Sequence, residues 1–210
     1  MSSRNLLLLK IAVFTAGFFS LALLGGEYLT HTLGANPVEE VTFTTGLSAL
    51  VFLLLTLGIT PARQLSGWLW LIRFRRMLGL FAFFYASLHL ATYLWLDKSF
   101  DRHEIWKDVI KRPFITAGFT AWLLMVPLAI TSTQWAIGKM GGKRWQALHR
   151  LIYFSALAGV VHYYWLVKKD VTGPVEYGVV LGLLLLYRLV VFFKRSSRAS
   201  AAVKPTLQNG

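Results

Sequence analysis

Six apolar runs divide the chain, at residues 6–28, 37–60, 76–96, 113–131, 146–167 and 176–193. Each approaches the roughly 20 residues that a helix needs to cross a bilayer. Polar and proline punctuation marks their ends. The second run opens with Asn36-Pro37-Val38-Glu39, an N-cap asparagine, a proline at the first helical position and a glutamate at the third. It is expected to stop at Thr60-Pro61, because the residue before a proline is pushed out of the helical region. Pro113 opens the fourth run in the same way, and Pro127 is expected to kink its end, which neighbouring helices in a bundle tolerate. The first run, flanked by Arg4 and Lys10, lacks a clear small-residue cleavage site and is read as a retained span. The pattern predicts an all-α, polytopic membrane bundle of six transmembrane helices over residues 1–193. Residues 194–210 are expected to form a polar, disordered cytoplasmic tail.

Composition agrees with that pattern and narrows the chemistry. The chain is 56 % hydrophobic with a mean hydropathy of +0.56, far from a soluble domain. Its formal charge of +13 does not point to nucleic acid, because the cations sit between apolar runs as topology signals do. The N-terminus, the 61–76 loop, the 132–150 segment and the stretch from Arg188 carry 15 of the 22 Lys and Arg. The other three loops carry 7 and also hold all nine acids. The positive-inside rule therefore predicts both termini in the cytoplasm. With no cysteine, thiolate metal sites and covalent c-type haem attachment are excluded. Residues 101–112 (DRHEIWKDVIKR) suggest a short amphipathic helix on the outer surface, with Ile105, Trp106, Val109 and Ile110 on one face.

Candidate chemistry centres on Arg144 to Trp165, RWQALHRLIYFSALAGVVHYYW, read as one apolar helix carrying His149 and His162. A histidine in hydrocarbon is costly without a partner or a metal. His89, on the third run, lies about seven residues before its outer end, and His162 about five before its own, so a rise of 1.5 Å per residue puts them at nearly one depth. Helical steps back from His89 meet Ala86, Ala82 and Gly79; those from His162 meet Gly159, Ala158 and Ser155. Such small-residue faces leave room for a flat macrocycle, and two imidazoles at one level suit the axial positions of a haem iron. They also suit an ordinary small-residue packing seam with each histidine hydrogen-bonded across the bundle. His149 is about 20 Å and roughly 140° from His162 on an ideal helix, so it reaches a second, inner haem only if the helix is distorted or if it turns to another face. Level with it on the third run stand Arg75 and Arg76, which, with Arg144 and Arg150, suit haem propionates, a flavin phosphate or lipid headgroups.

The segments RRMLGLFAFFYASLHLATY, KRPFITAG, LAITST and RWQALHRLIYFSALAGVVHYYW, with ANPVEE before the second run, closely resemble the MsrQ (YedZ) family, whose fold is ferric-reductase-like. The resemblance covers nearly the whole chain except its tail. It implies a haem b subunit of the bacterial inner membrane, with one haem and room for a second. Electrons would pass to a periplasmic molybdopterin methionine-sulfoxide reductase, MsrP, supporting repair of oxidised periplasmic proteins. His89, His149 and His162 fall on the family's haem-associated histidines. Many wider relatives carry a second histidine on the third span, where this chain has Arg75 and Arg76; that departure counts against a conventional bis-histidine inner haem. The family is also associated with membrane quinol or a cytoplasmic flavin reductase as donor, and with flavin mononucleotide (FMN), for which no residue is assigned. The substrate chemistry would lie on the partner, since no G-x-G-x-x-G follows a strand here.

Three other functions were weighed against the same residues. A proton-coupled transporter using the intramembrane histidines would ordinarily place acids within spans, yet the acids here lie in loops or at helix ends. An intramembrane hydrolase lacks a G-x-S-x-G or H-E-x-x-H setting. A purely structural anchor predicts that the histidines are dispensable.

Overall fold

The computed structural model describes residues 2–203, and the described chain is helical throughout. Its helices are α1 (Ser3–Ala16), α2 (Phe19–Leu29), α3 (Pro37–Ser66), α4 (Arg75–Thr92), α5 (Arg102–Lys111), α6 (Pro113–Ile130), α7 (Gln134–Met140), α8 (Gly142–Leu148), α9 (Leu151–Leu166) and α10 (Thr172–Val203). A 3₁₀ segment, Leu69–Phe74, leads into α4, and a π-helical turn, Tyr93–Asp97, leads out of it. Five stretches are long and apolar enough to cross a membrane: Ser3–Leu29, Pro37–Ser66, Leu69–Asp97, Pro113–Ile130 and Thr172–Lys194. The sixth apolar run forms α9, whose 16 residues span only about 24 Å. The chain is a multi-pass membrane protein. α10 continues into the segment expected to be a tail, and residues 204–210 of that segment lie outside the described residues.

The core is built by α3 against α4 and α6 against α9, with α4 meeting α6 between the two pairs. Leu53, Leu57, Ala82, Met125, Ala156 and Leu181 are its buried centre. The first crossing bends at Gly17, where α1 gives way to α2. A Cβ on Gly17 would lie 2.3 Å from the Phe81 ring, so only glycine lets that ring enter the bend. Tyr85, fully buried, donates its hydroxyl to the Gly17 carbonyl at 2.7 Å and so satisfies a group that the bend exposes.

Two sequence expectations need correction. α3 does not stop at Thr60-Pro61 but runs to Ser66, with Pro61 buried inside it. Proline cannot donate to the carbonyl four residues back, which here belongs to Leu57. Arg188 of α10 supplies the missing donor, with Nη2 2.7 Å from the Leu57 oxygen, while its Nη1 donates to the Tyr153 hydroxyl at 2.9 Å. A tertiary contact thus replaces the local one. Nor is Arg144 to Trp165 a single helix. It breaks at His149–Arg150 into α8 and α9. The break is held from outside: Trp145 donates Nε1 to the Thr131 carbonyl at 2.9 Å and stacks on the His149 ring at 3.8 Å between centroids.

Candidate metal centre between four helices

His89 on α4 and His162 on α9 come together, with ring centroids 5.8 Å apart and planes at 78°. Metal–imidazole bonds of roughly 2.0–2.1 Å let two rings at this separation share one metal atom. Neither ring is held by its own helix. His89 Nδ1 lies 2.8 Å from the carbonyl of Thr42 on α3, and His162 Nδ1 lies 2.6 Å from the carbonyl of Phe114 on α6. A carbonyl only accepts, so each Nδ1 must carry the proton. Each Nε2 is therefore left with a bare lone pair, the tautomer and orientation that a metal ligand requires.

Two glycines make this seating possible. A Cβ on Gly46 would stand 2.8 Å from His89 Nδ1, and one on Gly118 would stand 2.8 Å from His162 Nδ1. Each glycine lies four residues after the carbonyl that orients the same ring, so one arrangement is used twice: a carbonyl at one position and a bare Cα one turn later. Sequence reasoning missed both residues. The cue was present in the paired T-x-G of Thr44-Gly46 and Thr116-Gly118, on two crossings that carry no histidine.

The histidines open onto a cavity of about 340 Å³, within the range of roughly 300–1,000 Å³ usual for cofactor pockets. Ala86 and Gly159 line it, as their small-residue faces suggested, and Leu50 and Met125 add apolar wall. Among the described residues no group of three or more His, Cys, Asp or Glu converges on a metal position. Two nitrogens do not complete a coordination sphere. A macrocycle that brings four more nitrogens and an apolar body fits the donor set and the walls alike.

A charged cluster sits at the cavity's mouth, where Tyr93, Asp97 and Arg112 line it. Asp108 of α5 is buried, with 5 % of its side chain exposed, and receives Lys98 at 2.8 Å, Arg112 at 3.2 Å and the Tyr93 hydroxyl at 3.2 Å. Burial alone would raise the Asp108 carboxyl, but the Lys98 hydrogen bond and the Arg112 charge outweigh it and hold the group below the usual carboxylate range. The same hydrogen bond pushes the Lys98 ammonium above its usual range. A depressed acid adds stability that is present above its unfolded pKa and lost as pH falls through the folded one. A raised lysine adds stability that is present below its unfolded pKa and lost as pH rises through the folded one. Thermal stability is thus expected to be flat between about pH 4 and about pH 10 for this pair and to fall on either side. Asp108→Asn should cost on the order of 1.5–3 kcal/mol and flatten the acid limb of a Tm-against-pH series. α5 is capped by Asp101, which accepts from His103 and Glu104. Ile105 and Val109 turn partly inward, while Trp106 and Ile110 stay exposed.

The remaining sequence candidates lie elsewhere. His149 closes α8, with Nε2 3.1 Å from the Thr131 hydroxyl. Arg75 is half-buried within electrostatic reach of Arg63, Arg188 and His149. Arg76 is exposed and lines a separate groove with Lys10 and Arg73. Arg144 and Arg150 are exposed, as are His31 and His103.

Imidazoles clasped between crossings, each steered by a neighbouring helix, define a multi-pass membrane protein with a half-buried histidine pair at its centre. The family described as ferric reductase like transmembrane component matches residues 43–160, which hold both glycines and His89 and reach the turn before His162. Full-length similarity is closer still. The chain is 50 % identical over 202 residues to a protein of Herminiimonas arsenicoxydans, covering 95 % of this chain and 93 % of that one. It is 52 % identical over 187 residues to one of Azospira oryzae, covering 86 % and 80 %. A third, from Rhodospirillum rubrum, is 50 % identical over 192 residues, covering 90 % and 92 %. All three are named protein-methionine-sulfoxide reductase heme-binding subunit MsrQ. The chain belongs to the ferric-reductase-like transmembrane family and, within it, to the MsrQ family.

Proposed function

We propose that the chain is a haem b electron-transfer subunit, with His89 and His162 as the axial ligands. The observation that carries the reading is the paired seating of the two rings, each Nδ1 on a carbonyl and each Nε2 free. The relatives' shared name, heme-binding subunit of a protein-methionine-sulfoxide reductase, supports it. Bound in this cavity, the haem would supply one reversible electron-carrying site. The chain's own residues bind and orient it and keep water away. Leu50, Met125 and the neighbouring apolar walls set a low local dielectric, and the Asp108 cluster fixes α5 at the mouth.

The charge distribution supports an orientation with both termini in the cytoplasm and the two histidines toward the periplasmic side of the inner membrane. Electrons would enter from a cytoplasmic flavin reductase or membrane quinol and leave for a periplasmic molybdopterin methionine-sulfoxide reductase (MsrP), where the sulfoxide is reduced. A test follows from the colour. Purified, haem-replete protein, reduced under anaerobic conditions, is expected to be reoxidised by that reductase only when methionine sulfoxide is present. A properly inserted but colourless protein, or reoxidation indifferent to the sulfoxide, would overturn the reading.

A further inference from the structure

On the other side of α4 from the histidine cavity, α1 and the start of α4 enclose a groove of about 420 Å³. Its two ends differ in chemistry. One carries Lys10 from α1 with Arg73 and Arg76 from the approach to α4; the other is floored by Phe14, Phe18 and Phe84. Among the described residues no carboxylate pairs with any of the three cations. The phenyl rings are partly exposed, at 51 %, 37 % and 37 %, on a face of the bundle that looks toward hydrocarbon. They form a fixed surface. Phe18 packs against Phe14, Phe81 and Phe84 with centroids 5.3, 5.3 and 5.9 Å away, and Phe81 itself is locked into the bend at Gly17.

We propose that this groove is a binding site for an anionic glycerophospholipid, its phosphate among Lys10, Arg73 and Arg76 and one acyl chain along the phenylalanine floor. Charge complementarity selects this occupant. Three unpaired cations need an anion, and a neutral lipid or quinol leaves them uncompensated. A zwitterionic headgroup brings a cation of its own into the cluster. The opening toward hydrocarbon means that the occupant arrives from the bilayer, and basic pockets between crossings are established headgroup sites. Lys10 is half-buried on the groove wall, where a lysine's apolar stem can pack while its ammonium meets a headgroup. This inference is independent of what the histidines hold.

Native mass spectrometry of the intact protein decides it. The protein is equilibrated in detergent with equimolar phosphatidylglycerol and phosphatidylcholine of identical chains. Phosphatidylglycerol adducts are expected to exceed phosphatidylcholine adducts about tenfold. The triple variant Lys10→Gln, Arg73→Gln, Arg76→Gln is expected to bring the ratio near one while eluting as a folded, monodisperse protein. A charge-matched triple elsewhere on the basic side, Lys139→Gln, Lys143→Gln, Lys194→Gln, is expected to keep the preference. Equal adducts on the wild type would overturn the proposal. So would a preference that survives the groove variant, an equal loss in the charge-matched control, or a quinone found as the retained species.

Discussion

Replacing either His89 or His162 with Ala is expected to strip nearly all bound haem, a loss well beyond tenfold in haem-to-protein ratio measured by the Soret band and haem extraction. Both rings are needed because they are the two imidazoles that line the cavity, and among the described residues no group of three or more His, Cys, Asp or Glu stands ready to replace one. The fold should survive each change, since the ring hydrogen bonds go to carbonyls of neighbouring crossings rather than into the central leucine core. A folded variant that keeps full absorbance would end the axial-ligand assignment. His149→Ala reads out differently, since that side chain meets Thr131 and Trp145 instead. It leaves the ratio unchanged if His89 and His162 hold the sole haem, and halves it if His149 holds a second.

Gly46→Ala and Gly118→Ala are expected to weaken haem retention by roughly ten- to a hundredfold, the usual cost of disturbing what orients a metal-ligating histidine. The sign is informative. Within a helix, glycine to alanine ordinarily gains about 1 kcal/mol from propensity, so a loss at these positions can only come from the displaced ring. The new methyl would sit 2.8 Å from Nδ1, and the ring must leave its carbonyl to make room. Gly58→Ala supplies the contrast. It lies on the same helix as Gly46 but away from the cavity, and a Cβ there would meet nothing within 4 Å, so haem retention should change little. Haem titration of the three variants, followed by absorbance, separates these outcomes. Equal retention by Gly46→Ala and Gly58→Ala would remove the glycine from the site.

How much of this the sequence disclosed depends on whether the cause was local. The meeting of His89 and His162 was legible because a histidine inside an apolar run is conspicuous and helical rise fixes its depth. Ala86 and Gly159 were legible because they lie one turn from a histidine on its own helix. Gly46 and Gly118 were not, since each acts on a ring more than forty positions away, and a glycine in a membrane span carries many meanings. Pro61 gave a correct local reading of a lost hydrogen bond and a wrong helix end. The deciding donor, Arg188, comes from the last helix. The break at His149 is hidden for the same reason: nothing between Trp145 and Leu151 discourages helix, and Thr131 of an earlier crossing holds the turn in place.

Each imidazole rides on one crossing and is aimed by the crossing before it, so no single helix seats its own ring, and the two rings belong to two separate helix pairs. The first ring is set only when α3 and α4 have paired, the second only when α9 has come to rest on α6. On the proposed function, capture of a haem between the two rings would be a late event in membrane assembly. A red colour in isolated membranes would then report that four separate insertions have ended in the right places.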